Sequence, residues 1–138
     1  MTANYIKGEE EMSFKIKATT PCYKFINASP EAQLAKIREE VEEVAQAWAD
    51  YYADKTGANL EKLLVELLDV KACVNTAMAQ INKDNDNENR KRAAKIKEGK
   101  CIPLLHFEYH KSRAKSIVVE KNLRRGYYVL DEREVDHE

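Results

Sequence analysis

LEKLLVELLDVKACVNTAMAQI, from Leu60 to Ile81, places apolar residues at Leu60, Leu63, Leu67, Val70, Val74, Ala77 and Ile81. Steps that alternate between three and four mark one face of a packed helix, whereas a half-buried strand would alternate every second residue. Upstream, Leu34, Ile37, Val41, Val44, Trp48 and Tyr51 repeat the same steps. Ser29-Pro30-Glu31 supplies the start of that first helix, because serine caps free amides, proline has the φ of a first turn and glutamate favours the positive end of the dipole. The first helix is expected to reach about Lys55 and end at Gly57, with Asn59 capping the second. So short a connection makes the two helices antiparallel neighbours.

Outward from this pair the pattern changes. Asn82 to Asn89 (NKDNDNEN) interrupts the periodicity and is expected to be a solvated loop. Its resemblance to a calcium loop fails, since the glycine and the final glutamate of an EF-hand are missing. Arg90 to Glu98 reads as a short basic helix closed by Gly99, and Pro103 as the opening of another helix that runs to about Arg125, where Gly126 breaks it. The alternation Ser13-Phe14-Lys15-Ile16-Lys17 fits either a short strand or a segment draped over the core. The expected fold is an all-α bundle of about four helices around an antiparallel core pair. Its organisation is an N-terminal extension over 1–28, a helical domain over 29–126 and a C-terminal tail over 127–138.

The 138 residues fit one domain, or one subunit of a small oligomer. Charged residues make up 34%, but 23 basic and 24 acidic side chains leave a net charge of −1, so a dominant surface for a nucleic acid polymer is not indicated. No apolar run approaches the roughly 20 residues of a membrane span. The N-terminal stretch has no apolar signal core, and a cytoplasmic location is expected. Cys22, Cys73 and Cys101 are odd in number and lack metal or disulfide spacing. Two long amphipathic helices in so short a chain expose more apolar seam than one subunit covers, so a homo-oligomer, dimer or tetramer, is expected.

The chemistry lies in two carboxylate groups. Glu39-Glu40-Val41-Glu42-Glu43 falls on the first helix and Glu66-Leu67-Leu68-Asp69 on the second. Glu40 and Glu43 each directly precede a seam residue, as do Glu66 and Asp69, so both pairs hold the same angular position beside their apolar stripe. Residues three apart are neighbours on a helix, and antiparallel packing lets four or five carboxylates converge. Such a group repels itself without a cation. Oxygen ligands with no histidine or thiolate suit Mg²⁺, or Mn²⁺, which keep waters and bind substrate phosphates beside protein carboxylates. A merely solvated acidic face would account for Glu39 and Glu42. It accounts less well for Asp69, a poor helix former inside a leucine-rich run.

EExxE on one helix and ExxD on the next resembles the signature of the MazG-like, all-α nucleotide pyrophosphatase superfamily, with the match covering residues 30 to 81. The resemblance implies hydrolysis of a nucleoside triphosphate between its α and β phosphates, giving a monophosphate and pyrophosphate in the service of nucleotide-pool house-cleaning. It implies Glu40, Glu43, Glu66 and Asp69 as metal ligands, and Glu39 as a further ligand or as the group that positions or activates the attacking water. Lys121, Asn122 and Arg125, within EKNLRRGYY, look similar to a phosphate-gripping segment of phage-type members. Trp48 invites base stacking, although its seam position favours core packing, and Asn75 is a candidate for bonding a base or sugar.

Two other readings compete. A di-iron bundle would need Glu-x-x-His pairs, which neither motif has. His106 and His110 sit four apart, but the glutamate between them is not where a zinc protease helix needs it. The rival from another class is a non-enzymatic helical module whose seams dimerise or bind a partner helix. It explains the apolar periodicity and leaves Asp69 and the matched carboxylates unexplained.

Overall fold

In a computed structural model of the protein, residues 17–22 and 25–128 are described. They form three α-helices, α1 (Pro30–Ala53), α2 (Gly57–Lys97) and α3 (Phe107–Arg124), with no strand among the described residues. The all-helical expectation holds at that level, with three helices among the described residues. Residues 13–16 of the ambiguous N-terminal alternation and residues 129–138 of the tail lie outside the described residues. The chain divides into two compact units, residues 1–84 and 85–138, a boundary that falls within α2.

In the first unit, Ser29 caps α1 as expected, its Oγ accepting from the Ala32 amide at 3.1 Å. The end of α1 differs from expectation. The helix stops at Ala53, where the Asp54 amide donates to Asp50 O at 3.0 Å. Gly57 opens α2 instead of closing α1. Thr56, not Asn59, supplies the cap of α2, its Oγ1 accepting from the Asn59 amide at 3.2 Å. Asn59 works backwards, donating from Nδ2 to Asp54 O at 2.8 Å and Asp50 O at 3.4 Å, and so holds the two helix ends together. Further along, a carboxylate oxygen of Glu66 lies within 4.8 Å of one of Glu43, and Asp69, Cys73 and Thr76 share a cavity with Glu40, Lys36 and Gln33. As α2 advances its partners on α1 step back, which is the antiparallel pairing the short connection implies.

The inward face coincides with the expected seam only in part: Leu63 is buried and Ile37, Val44, Tyr51, Val70 and Ala77 are half-buried. The buried residues of α1 are Gln33, Glu40 and Ala47, and those of α2 are Leu63, Thr76 and Gln80. Leu34, Val41 and Trp48, each one position later, are exposed, as are Leu60, Leu67, Val74 and Ile81. The face packed within the chain therefore takes in one edge of the apolar stripe and leaves the other edge exposed.

A connecting segment ahead of α1 lies along α2 and is fastened by polar groups. Asn75 Nδ2 donates to Thr19 O at 2.8 Å, and the Cys22 amide donates to Thr76 Oγ1 at 2.9 Å. Gln80 reaches the Ala28 carbonyl and Lys83 the Asn27 side chain. Buried polar side chains are tolerated when so paired.

In the second unit, the stretch expected to be a loop is helical: Asn82 to Asn89 and the basic run Arg90 to Lys97 are one continuous part of α2. Tertiary bonds override the poor helix propensity of asparagine. Asn89 both donates to Leu105 O at 2.6 Å and accepts from the Leu105 amide at 2.8 Å, and Asn85 donates to the same carbonyl at 2.9 Å. Arg92 adds Pro103 O at 2.7 Å. Pro103 thus lies in the segment these side chains hold, and α3 begins four residues later, at Phe107. Gly99 and Gly126, at φ +89° and +68°, end α2 and α3 as expected. The Lys100 amide reaches Lys95 O and the Tyr127 amide reaches Asn122 O, the long bond of a C-terminal cap that requires a left-handed residue.

Candidate metal centre

Glu40 and Glu43 come from the middle of α1, and Glu66 lies one turn beyond the buried Leu63 on α2. One carboxylate oxygen from each lies within 4.8 Å of the others. The burial grades across the group: Glu40 is 8% exposed, Glu66 half-buried and Glu43 exposed. Asp69, one helical turn after Glu66, is exposed and borders the cavity beside Glu40, but is not among the three converging side chains. Glu39 is exposed and stands 3.7 Å from Lys36 Nζ.

The electrostatics are those of an under-neutralised acidic site. The like charge of Glu40 pushes the Glu43 carboxyl above its ordinary value, reinforced by partial desolvation and by hydrogen bonding to Glu66, whose charge adds further. Lys36, one turn before Glu40, makes the nearest compensation, with Nζ 2.9 Å from Glu40 Oε1. That bond raises the lysine, and burial only partly opposes it. One ammonium faces several carboxylates, and Glu40 Oε2 and Glu66 Oε2 are buried with no hydrogen-bond partner. A buried carboxylate oxygen without a donor is costly, and a hard cation with oxygen ligands is a group that would satisfy both. The residues therefore fit Mg²⁺ or Mn²⁺ in chemistry, in number and in their open lone pairs.

Beside this group lies a cavity of about 220 Å³ between α1, α2 and the connecting segment. Gln33 and Lys36 border it, and neither stands out in the sequence. A spacing of four ahead of Glu40 is the signal that would have found Lys36. For Gln33, seven before Glu40, nothing local distinguishes it from a solvated residue. Cys73 also borders the cavity, its thiol pushed up by burial and then by the charge of Glu40.

The other candidates are not among the three converging carboxylates. Asn75 commits its amide to Thr19 O. Trp48 is 51% exposed, with its ring 5.1 Å from that of Tyr52, and so does not fill the core that its seam position suggested. Lys121, Asn122 and Arg125 belong to the second unit. There Asn122 Nδ2 donates to the Tyr128 hydroxyl at 3.3 Å, and the Arg125 guanidinium lies 5.7 Å from the Tyr127 ring centroid, while Lys121 is exposed. No protein-family model, curated protein or solved structure matches the chain.

Proposed function

We propose that the protein is a Mg²⁺-dependent nucleoside triphosphate pyrophosphohydrolase that cleaves between the α and β phosphates. The observation that supports this best is the convergence of Glu40, Glu43 and Glu66 with two buried, unpartnered carboxylate oxygens. These three would hold the ion, with Asp69 completing the set. Bound Mg²⁺ would supply charge to the phosphate oxygens and make the attacking water more acidic. Lys36 holds Glu40 and stands within reach of Glu39, so it fixes one of the carboxylates that would face the ion. Glu39, exposed and outside the converging three, can accept the proton of the attacking water. A bond from the water oxygen to the α phosphorus forms, the bridging bond to the β phosphate breaks, and pyrophosphate leaves. Lys121, Asn122 and Arg125 are proposed to grip phosphate, which Ala substitutions test through KM.

The exposed apolar stripes favour a second, compatible element: association of two or more copies. Only Ala47 and Leu63 are buried apolar residues among those described, whereas Leu34, Val41 and Trp48 on α1 and Leu60, Leu67, Val74 and Ile81 on α2 stay exposed at seven-residue intervals. Heptad spacing on both helices is the pattern of an interhelical seam. As a non-enzymatic module the chain would use this face alone.

The test is pyrophosphate release from a panel of nucleoside triphosphates, with and without Mg²⁺, for the parent and Glu43→Gln. Release that needs Mg²⁺ and falls by more than about 100-fold in the variant is expected, beyond the loss usual for a residue that merely supports a ligand. A folded protein that releases none from any nucleotide would leave the interaction module as the better reading.

A further inference from the structure

We propose that the second unit, α3 together with the C-terminal stretch of α2, is a surface for single-stranded nucleic acid. The net charge of −1 averages unlike parts of the chain. Residues 1–84 carry 10 basic and 14 acidic side chains, a balance of −4, whereas residues 85–128 carry 12 basic and 5 acidic, a balance of +7. Residues 129–138 add −4, which leaves the second unit as a whole at +3. A cationic surface of this density attracts a polyanion and gains from the release of its counterions. The charge is available. Among the described residues of this unit, acidic side chains pair only with Arg92, from Glu88 at 3.1 Å, and with Arg124, from Glu120 at 4.0 Å. The second of these pairs is exposed on both sides and holds little.

The cations belong to one body. Asn85 and Asn89 hold Leu105 and Arg92 holds Pro103 O, so the segment that leads into α3 is fastened to α2. Along α3, His110, Arg113, Ile117, Lys121 and Arg124 follow one another by steps of three and four and are all exposed. They form a line of about 21 Å at 1.5 Å per residue, the length of about six stacked nucleotides at 3.4 Å each. An exposed tyrosine stands at each end. The ring of Tyr109, 61% exposed, is 5.2 Å from that of His110, and the ring of Tyr127, 66% exposed, is 5.7 Å from the Arg125 guanidinium. Bases stack on such rings only when they are unpaired, which selects a single strand over a duplex. A membrane surface fits less well. It needs one continuous apolar face opposite the cations, and the consecutive Ile117, Val118 and Val119, each about half exposed, fall on different sides of α3. An acidic peptide would meet the cations but offer no base to the two rings.

Fluorescence anisotropy of a labelled DNA strand of about twelve nucleotides, with no metal present, tests this apart from any hydrolysis. Saturable binding is expected, with log K falling against log salt at a slope of about −3, as about four phosphate contacts give on a single strand. Arg113→Glu with Arg124→Glu on α3, and Arg90→Glu with Lys91→Glu on α2, are each expected to weaken binding by more than about tenfold. Either pair serves if the other disturbs the helical fold. Tyr109→Ala is expected to cost about tenfold on the strand and nothing on polyglutamate of equal charge. Glu43→Gln is expected to bind the strand as the parent does, since the carboxylate group takes no part. No binding at about 50 mM salt, or tighter binding to a duplex of the same sequence or to polyglutamate, overturns the assignment. Insensitivity to both charge-reversal pairs, or loss of binding in Glu43→Gln, overturns it as well.

Discussion

The two faces of the α1–α2 hairpin invert the usual arrangement. The inward face buries Gln33, Glu40, Thr76 and Gln80, with Ala47 and Leu63 as its buried apolar residues, whereas the outward stripe exposes Leu34, Val41, Trp48, Leu60, Leu67, Val74 and Ile81. A polar interior is tolerated only where partners satisfy it. Thr76 and Gln80 have theirs on the connecting segment; Gln33 Nε2, Glu40 Oε2 and Glu66 Oε2 have none. A large apolar stripe on a small chain marks a contact surface. On the proposed reading the two faces serve different ends, one for a ligand and the other for another copy.

Charging the outward face should disturb this contrast most. Leu67→Lys forfeits burial of a leucine side chain between copies, about 2 kcal/mol per chain, and light scattering is expected to show a shift to monomer with a lower Tm. A variant that keeps its mass and melting point would show that the stripe is free in solution. Next, Gln80→Leu leaves the Ala28 carbonyl without its side-chain donor. The expected cost is about 1–3 kcal/mol in chemical denaturation, accompanied by faster exchange of the Cys22 amide. Ser29→Ala removes the cap of α1 and should cost about 1 kcal/mol, with mass and ligand binding unaltered.

The smallest effect is a pH dependence. The Glu43 carboxyl is raised above its ordinary 4.5, so the folded chain binds that proton more tightly than the unfolded one. Its stabilising contribution is full below pH 4.5 and is lost as pH climbs through the raised value. Metal-free protein should therefore lose this contribution to Tm over that rise, and Glu43→Gln should abolish the slope. Because Glu43 is exposed, added salt should shrink it.

The helices were legible because Ser29-Pro30, Gly99 and Gly126 carry their signals in local stereochemistry. The meeting of Glu40, Glu43 and Glu66 was legible for a related reason, since residues three apart on antiparallel helices are brought close when they share an angular position; Asp69 shares it and borders the cavity without joining the three. Which edge of the stripe packs inward was not legible. Leu34 and Gln33 differ by one position, and an apolar stripe looks the same whether its own chain or a second copy covers it. Asn82 to Asn89 misled because asparagine and aspartate favour loops by intrinsic propensity, while the bonds from Asn85 and Asn89 to Leu105 depend on a segment some sixteen to twenty residues away. Gln33 was invisible, since its significance lies in a partner it lacks.

Whether Glu40, Glu43 and Glu66 hold a divalent cation decides between a metal centre and a plain acidic face, and Mn²⁺ binding followed by calorimetry answers it. Saturable binding to the parent chain is expected, with proton release that is larger at lower pH, as the cation displaces the proton on Glu43. Binding should be much weakened in Glu40→Gln and Glu66→Gln. Equal binding to the parent and to both variants, or no binding with the helical fold intact, would contradict the metal centre.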